Sequence, residues 1–312
     1  MPSKPEIFLA APYLPAFCLD LVNEHFDVHP ATVADSSHSL PEGPVALICT
    51  VNVRIDADLI ARLPRSVRII ATYSVGMDHI DLEAARTRKL IVVNAPGTLA
   101  ASVAETAMFL LLGAARRGRE SLDLVESGNW KGWRADQLLG QSIENRRLGI
   151  FGMGEIGVQI ARRAKAFGMD VIYHNRSPRP GIPDDIRYVA DVELFLQQSE
   201  VLVLACPLTP QTRHFLNAAS ITKLPAQAII VNIARGEIVD DDALIEALRS
   251  GQIGAAGLDV FTGEPNLRDD YRNMPNVFAT PHIGSSTFQA RRAMMEKVIA
   301  GVLQHLPPAG SS

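Results

Sequence analysis

The chain has 312 residues, of which 47% are hydrophobic and 21% charged, a composition typical of a globular protein that buries a large core. This length predicts about two domains. The formal net charge is −4 and the basic residues are spread along the chain, which argues against nucleic acid or an anionic membrane surface as the main partner.

The three cysteines, Cys18, Cys49 and Cys206, are far apart and lie among apolar neighbours. They form no CxxC motif and no Cys/His cluster, so we interpret them as buried, reduced thiols and predict no metal site. No apolar run reaches the ~20 residues that a membrane span needs. Prolines interrupt residues 1–20, which therefore lack the apolar core of a signal peptide. We expect a cytoplasmic protein.

Short β-rich apolar runs alternate with segments of helical periodicity along most of the chain. The runs predict strands at residues 6–10, 45–50, 67–72, 90–94, 147–151, 170–174, 201–205, 228–232, 254–259 and 277–279. Helical periodicity is clearest at residues 158–167, 191–198 and 241–250. This alternation predicts parallel sheets covered by helices on both faces.

Residues 102–118 form one long, almost uncharged segment rich in Ala, Leu and Met, after the helix-breaking sequence Asn-Ala-Pro-Gly at residues 94–97. We predict one helix, with Ser102 as its N-cap and Glu105 at the third position of a capping box. An apolar helix this uniform must be buried on most sides. A domain junction and a subunit interface would both satisfy that requirement.

The sharpest motif is G-x-G-x-x-G at residues 152–157, between a hydrophobic run and a helical segment. In this context Gly152 allows a tight turn, Gly154 lets the backbone approach a pyrophosphate, and Gly157 lets the helix pack closely on the strand. The amides and dipole of the helix N-terminus then face the phosphates. The motif predicts a dinucleotide-binding site.

The end of the next strand distinguishes NAD from NADP. NAD binders usually place Asp or Glu there to bind the ribose 2′-hydroxyl. This sequence has Asn175, followed by Arg176 and Ser177. A carboxylate would repel a 2′-phosphate, whereas Arg176 can pair with it and Ser177 can donate to it. We predict NADP(H) as the cofactor; the alternative is a solvated loop with incidental arginines.

Three later segments, at residues 231–236, 257–265 and 279–284, place a polar residue after a predicted strand, where an open α/β sheet has its crevice. Hydride reduction of a 2-keto acid needs a bidentate cation, a general acid and an anionic partner for that acid. These needs are matched by Arg235, His282 and Glu264. Each residue singly has a structural explanation, so only their combination predicts a catalytic site.

The order of these motifs resembles the D-2-hydroxyacid dehydrogenase family over nearly the whole chain. The resemblance rests on four motifs: the glycine motif, Asn-Ile-Ala-Arg-Gly from residue 232, Gly-Leu-Asp-Val-Phe from residue 257 and Thr-Pro-His-Ile-Gly from residue 280. The segment Tyr-Ser-Val-Gly-Met-Asp-His-Ile-Asp from residue 73 is similar to the family's substrate loop, whose amides hold the substrate carboxylate.

The resemblance implies an α/β protein of two Rossmann-like domains, each a doubly wound parallel sheet. Residues 1–99 and 285–312 would form a flavodoxin-like substrate domain, and residues 100–284 an NAD(P)-binding domain. Hinges near residues 96–100 and 282–286 would allow closure, which expels water from the substrate.

Carried over residue by residue, the resemblance implies Arg235 as the binder of the substrate carboxylate and carbonyl, His282 as the acid/base and Glu264 as its partner. Val75 and Gly76 would line the substrate site with Arg235 and His282. The implied cofactor-binding residues are Gly152, Met153, Gly154, Glu155, Ile156, Gly157, Asn175, Arg176, Ser177, Cys206, Pro207, Thr212, Ile233, Ala234, Arg235, Asp259, His282 and Gly284.

Within the family, the chain is most similar to the NADP-dependent glyoxylate/hydroxypyruvate reductases, which implies reduction of a small 2-keto acid to the D-2-hydroxy acid. A bulkier aromatic or sugar-derived 2-keto acid is one alternative, and a nucleotide-sensing interaction protein is another. The resemblance also implies a homodimer paired through the nucleotide domain, which would explain the apolar segment 102–118. Trp130 and Trp133 would then lie at the interface, or one of them would close the partner's substrate pocket.

Overall fold

The computed structural model describes residues 4–30 and 40–306. Residues 307–312, the end of the predicted substrate domain, lie outside this part. The strands are β1 (Glu6–Ala10), β2 (Asp27–Pro30), β3 (Ala46–Cys49), β4 (Ile69–Thr72), β5 (Ile91–Val93), β6 (Arg147–Phe151), β7 (Asp170–His174), β8 (Ile186–Tyr188), β9 (Val201–Leu204), β10 (Ala228–Asn232), β11 (Ile253–Leu258) and β12 (Val277–Ala279).

The helices alternate with these strands. They are α1 (Ala16–His25), α2 (Ala57–Arg62), α3 (Leu82–Thr87), α4 (Ala100–Ala115), α5 (Gly118–Glu126), α6 (Glu155–Ala166), α7 (Val192–Gln198), α8 (Ala218–Ile221), α9 (Asp241–Ser250), α10 (Asp269–Asn273) and α11 (Phe288–His305), with a 3-10 helix at Gly236–Ile238.

The chain divides into two compact units, the first of which comprises Met1–Leu99 and Ser286–Ser312. Its five strands are parallel, in the order β2-β1-β3-β4-β5, which is the flavodoxin-like order. Alternate residues of the strands pack on opposite faces. Ile7 and Ile48 share a core with α1 and α11, whereas Phe8 and Leu47 share one with α2 and α3.

The second unit, Ala100–Ser285, has seven parallel strands in the order β12-β11-β10-β9-β6-β7-β8. The first strand of the unit lies in the middle, as in the doubly wound Rossmann order, with one further strand at an edge. Strands β9 and β10 are buried along their whole length, as expected of parallel strands covered on both faces. The predicted fold class is confirmed. The order of strands reverses between β6 and β9, which places the ligand crevice at their carboxyl ends.

The helix predicted at residues 102–118 is wrong in two respects. It begins at Ala100, so Ser102 lies within α4 and is not its N-cap; the Ser102 hydroxyl donates instead to the Gly284 carbonyl at 2.8 Å. Arg117, in the left-handed region at φ 52°, separates α4 from α5. Helix α4 packs on β10 and β11 of its own unit, so its apolar character has a reason within one subunit.

Each of the three cysteines is buried and outside any disulfide, as predicted. Across residues 4–30 and 40–306, the helices are all too short or too polar to cross a membrane.

Candidate active site

The G-x-G-x-x-G turn joins β6 to α6 at the carboxyl edge of the seven-stranded sheet. Gly152 has a φ of 109°, and a Cβ at this position would lie 2.6 Å from the Cys206 backbone nitrogen. A Cβ at Gly157 would lie 2.5 Å from the Gly152 carbonyl oxygen. The path of the backbone therefore requires both glycines.

Gly154 has a different environment, because it is the N-cap of α6 and borders open space. A Cβ built on it meets no heavy atom within 4 Å. The first N–H groups of a helix have no partner within the helix, and they carry the positive end of its dipole. Met153, Glu155 and Ile156, the other predicted pyrophosphate contacts, lie in the same turn. Open space next to amide donors fits a pyrophosphate.

Asn175 follows β7 and reaches back to the glycine turn, where its Oδ1 accepts the Met153 N–H at 2.7 Å. Arg179, four residues later, donates from Nη1 to the Met153 carbonyl at 3.0 Å. Arg176 and Ser177 are exposed between these two anchors. The loop that carries the predicted 2′-phosphate ligands is thus fixed to the turn at both ends. Beyond the clustering of basic residues, nothing in the sequence distinguishes Arg179 from its neighbours.

The loop after β9 contains three further predicted cofactor residues. Cys206 is buried, and burial raises its pKa to about 12, so it is a thiol at neutral pH. The Thr212 hydroxyl donates to the Pro207 carbonyl at 2.8 Å and accepts the Thr209 N–H at 2.8 Å. These bonds fix the shape of the loop beside Gly152.

Arg235 lies just beyond β10, on a segment that Asn232 holds in place. The Asn232 Oδ1 accepts the Ala234 N–H at 3.0 Å, and its Nδ2 donates to the Arg235 carbonyl at 2.9 Å. The guanidinium is half-buried and donates from Nη1 to the Ala234 carbonyl at 2.7 Å. Ile233 and Ala234 are buried, so the segment anchors the Arg235 side chain at the edge of the sheet.

Glu264 and His282 are in direct contact, with 2.7 Å between Glu264 Oε2 and His282 Nδ1. The second carboxylate oxygen of Glu264 accepts the Phe261 N–H at 2.8 Å. The backbone of His282 is in the left-handed region at φ 53°, which is strained for a residue with a Cβ. Its N–H donates to the Asp259 carbonyl at 2.8 Å. Because Nδ1 faces the carboxylate, Nε2 is the ring nitrogen that can act on a substrate.

The pKa of Glu264 lies below its ordinary value of 4.5. Partial burial alone would raise this pKa. The hydrogen bond and charge of His282 outweigh burial, together with the Phe261 N–H and the charge of Arg235. Glu264 is therefore an anion at neutral pH.

Asp259 is buried behind the loop that carries His282 and fastens it. Its Oδ1 accepts the Thr280 hydroxyl at 2.6 Å and the Ile283 N–H at 2.8 Å, and its Oδ2 accepts the Gly284 N–H at 2.8 Å. Burial raises the pKa of Asp259 in spite of these bonds and of the charge of His282. The sequence predicted Asp259 as a cofactor ligand and missed its role in orienting His282.

Val75 and Gly76, the predicted substrate-binding residues, are partly exposed in the loop after β4, within the first unit. Their carbonyl groups are held by Asn94, whose side chain donates to the Val75 carbonyl at 2.9 Å, and by Ser74, whose hydroxyl donates to the Gly76 carbonyl at 2.6 Å. The sequence did not indicate the Asn94 support, because it depends on the pairing of β4 with β5, whereas the Ser74 bond is local to the loop.

The family profile described as "D-isomer specific 2-hydroxyacid dehydrogenase, NAD binding domain" matches residues 108–284. A glycerate dehydrogenase from Hyphomicrobium methylovorum is 39% identical over 301 residues, which cover 94% of this chain and 93% of that protein. A glyoxylate reductase from Thermococcus gammatolerans is 37% identical over 313 residues, covering 96% and 92%.

Solved structures give the same result. An NADPH-dependent glyoxylate/hydroxypyruvate reductase from Sinorhizobium meliloti, in complex with NADP and malonate, has a TM-score of 0.88 and is 31% identical, covering 96% of this chain and 93% of that one. A glyoxylate reductase from Paecilomyes thermophila has a TM-score of 0.87 at 30% identity, covering 97% and 95%. These likenesses confirm what the motif order indicated: the chain belongs to the D-isomer specific 2-hydroxyacid dehydrogenase family.

Proposed function

We propose that this protein reduces a small 2-keto acid, glyoxylate or hydroxypyruvate, to the D-2-hydroxy acid with NADPH. The observation that carries the proposal is the 2.7 Å contact between His282 Nδ1 and Glu264 Oε2, at the carboxyl edge of a sheet with a dinucleotide-binding turn. The names of two relatives, glycerate dehydrogenase and glyoxylate reductase, support the same class of substrate.

His282 is the general acid of the proposed reaction. Glu264 accepts a hydrogen bond from the Nδ1–H group, which leaves Nε2 to donate a proton to the substrate carbonyl oxygen as negative charge develops there. The hydride that reduces the carbonyl carbon is supplied by NADPH when it is bound. One hydride added to carbon and one proton added to oxygen convert the ketone to the alcohol.

Arg235 is proposed to bind the substrate carboxylate, because its planar guanidinium can pair with both carboxylate oxygens. Its charge contributes to the lowered pKa of Glu264, which indicates that it lies near the histidine–glutamate pair. We propose separately that the backbone N–H groups of Val75 and Gly76 donate to the substrate.

NADPH rather than NADH is proposed from the loop after β7. Asn175 stands where an acid would exclude a 2′-phosphate, and Arg176 and Ser177 are exposed beside it. Arg179 fixes the loop to the glycine turn, so that the basic residues are held next to the predicted ribose site. The Sinorhizobium meliloti relative, whose structure contains NADP, supports this choice.

The Arg176→Ala variant tests the choice of cofactor. Loss of a charge-assisted contact to the 2′-phosphate should lower kcat/KM for NADPH by about tenfold and leave kcat/KM for NADH nearly unchanged. The measurement is kcat/KM with each cofactor at a fixed keto acid concentration. Arg187→Ala is a matched control, since this arginine is exposed on β8 and pairs with Gln198. An unchanged NADPH/NADH ratio in Arg176→Ala would contradict the proposed role.

A homodimer is proposed from the apolar side chains that the second unit exposes. Phe109 on α4, Leu122 and Val125 on α5, and the two tryptophans Trp130 and Trp133 are all more than half exposed in a single chain. Exposed apolar surface of this extent is typical of a protein–protein interface.

The direct test of the activity is the loss of NADPH absorbance with glyoxylate, hydroxypyruvate, pyruvate and phenylpyruvate, repeated with NADH. Turnover of the two small acids with NADPH is the expected result. Turnover of phenylpyruvate alone would favour a bulkier substrate. If NADPH binds but no acid is reduced, the proposed reaction is wrong and a nucleotide-sensing role takes its place.

A further inference from the structure

The loop after β4 is tied to the first unit through three consecutive carbonyl groups. The Ser74 carbonyl accepts the Ala95 N–H at 2.9 Å, and the Val75 carbonyl accepts the Asn94 side-chain amide at 2.9 Å. The Gly76 carbonyl accepts the Ser74 hydroxyl at 2.6 Å. Since each peptide group is planar, holding its carbonyl also fixes the direction of the following N–H.

Behind the third of these bonds lies a chain of polar side chains. The Ser74 hydroxyl is 2.7 Å from the Thr72 hydroxyl, which is 2.9 Å from His79 Nε2. Thr72 is fully buried and Ser74 is 6% exposed, so water does not compete at these two hydroxyls. A continuous path of hydrogen bonds therefore runs from His79 to the Gly76 carbonyl.

Only one arrangement of protons satisfies all three contacts. The Gly76 carbonyl can only accept, so it takes the single Ser74 hydroxyl proton. Ser74 must then accept the proton of Thr72, and Thr72 must accept from His79. His79 therefore carries a proton on Nε2, whether its ring is neutral or charged.

The backbone of His79 is itself held by hydrogen bonds, so the first residue of the chain of bonds has a fixed position. Its carbonyl accepts the Ile55 N–H at 2.8 Å, and Ile55 forms a parallel bridge with Ile80. The Cys49 sulfur lies 3.9 Å from His79 Nε2. Burial raises the pKa of Cys49 to about 12, so no thiolate competes for the Nε2 proton.

We infer that His79 is a positioning residue for the substrate loop and acts through Thr72 and Ser74 on the Gly76 carbonyl. This inference rests on the proposed function, in which N–H groups of the loop donate to the substrate. The Gly76 carbonyl shares its peptide group with the Met77 N–H, and the Val75 carbonyl, held by Asn94, shares its peptide group with the Gly76 N–H. Glycine restricts its own backbone less than any other residue, so holding the peptide group after Gly76 limits rotation about Gly76 and thereby keeps the Gly76 N–H at its place in the loop. Within residues 4–30 and 40–306, the Val75 and Gly76 N–H groups donate to no protein acceptor, as a loop kept for a ligand requires.

The test is the pair Thr72→Val and Thr72→Ser. Valine has the shape of threonine without its hydroxyl and breaks the chain, whereas serine keeps the hydroxyl. Thr72→Val should raise the KM for glyoxylate about tenfold, the effect of one lost hydrogen bond to the binding loop. Its kcat and its KM for NADPH should stay within about twofold of the wild-type values, because the lost contact binds substrate and transition state alike.

The inhibition constant of oxamate, an unreactive analogue of a small 2-keto acid, should rise in Thr72→Val by the same factor as KM. Thr72→Ser should restore both constants. A KM for Thr72→Val equal to that of an active wild type would overturn the positioning role and leave the proposed reaction intact.

A second measurement does not depend on activity. Long-range proton–nitrogen correlations of ¹⁵N-histidine-labelled protein, assigned with a His79→Gln variant, report which ring nitrogen carries the proton. A proton on Nε2 of His79 is expected, and a neutral ring protonated only on Nδ1 would overturn the inferred chain. If the wild type reduces no keto acid, the proposed function fails, and the His79 tautomer still decides whether the chain of bonds exists.

Discussion

At the residue scale, the geometry of His282 is set by its neighbours. Glu264 holds one ring nitrogen, and Asp259 fastens the loop on both sides of the ring through the Thr280 hydroxyl and two backbone N–H groups. A left-handed backbone at a residue with a Cβ persists only where the surroundings enforce it. This arrangement aims Nε2 before a substrate binds.

Replacing the proposed general acid should affect turnover far more than binding. His282→Ala is expected to lower kcat by about 10²–10⁴-fold, the usual contribution of a positioned acid or base. The measurement is kcat with glyoxylate, together with the NADPH dissociation constant from fluorescence, which should change little. His29→Ala is the matched control, since His29 also pairs with a carboxylate, that of Glu6 at 2.9 Å, on the surface of the first unit. Normal turnover in His282→Ala would remove His282 from the mechanism.

The Glu264 carboxylate should stabilise the fold in a pH-dependent way. The pKa of Glu264 is lower in the folded protein than its ordinary value of 4.5, so the unfolded chain takes up the proton first as the pH falls. Its contribution is therefore present above pH about 4.5 and is lost as the pH falls through the folded-state pKa. Thermal unfolding should show a lower Tm for Glu264→Gln at neutral pH, with the difference shrinking in acid. A Tm difference that is independent of pH would contradict this.

At the scale of elements, the two glycines Gly157 and Gly154 of the turn serve different purposes: the fold requires Gly157, and the proposed cofactor requires Gly154. Gly157→Ala forces a methyl group against the Gly152 carbonyl, which should cost about 1–3 kcal/mol and lower the Tm by roughly 5 °C. Gly154→Ala places its methyl group in open space, at a backbone φ of −82° that alanine adopts readily. Its Tm should stay close to that of the wild type, while its NADPH dissociation constant rises at least about tenfold, because the methyl blocks close approach of the pyrophosphate.

Calorimetry and NADPH titration of both variants check this prediction. NADPH binding by Gly154→Ala equal to that of the wild type would show that the pyrophosphate does not lie at this position.

Elements with a clear apolar pattern in the sequence were predicted closely. The bounds of β1, β6, β7, β10, β12 and α9 agree with the prediction to the residue. Strands β2 and β8 were missed, because polar residues interrupt both and leave no apolar run, whereas the edge strand β12 has the sequence Val-Phe-Ala. The break between α4 and α5 was also missed, because a left-handed arginine leaves no trace in hydrophobic periodicity.

At the scale of the whole molecule, the apolar side chains of the second unit predict a dimer. Helix α5 has no buried residue, yet it carries Leu122 and Val125 three positions apart, on one side of the helix. In size-exclusion chromatography with light-scattering detection, the protein should therefore have about twice its chain mass of 33.9 kDa. The double variant Leu122→Glu/Val125→Glu should be monomeric, because burying two charges in an interface is unfavourable.

The double variant Val192→Glu/Leu194→Glu is the control, since these apolar side chains of α7 are also exposed. It should remain dimeric. A wild type that elutes as a monomer at micromolar concentration would contradict the proposed interface.

The sequence by itself determined the fold class, the dinucleotide-binding turn and the identity of the three proposed catalytic side chains. These features depend on local patterns: the alternation of strands and helices, glycines at fixed spacing, and polar residues directly after strands. Only the tertiary structure decided three sets of hydrogen bonds. They run from His79 to the Gly76 carbonyl, from Asp259 to the loop of His282, and from Arg179 to the glycine turn. Each joins groups that the sheet order or a loop's path brings within hydrogen-bond distance, and a hydrogen bond leaves no periodic signal in the residues that make it.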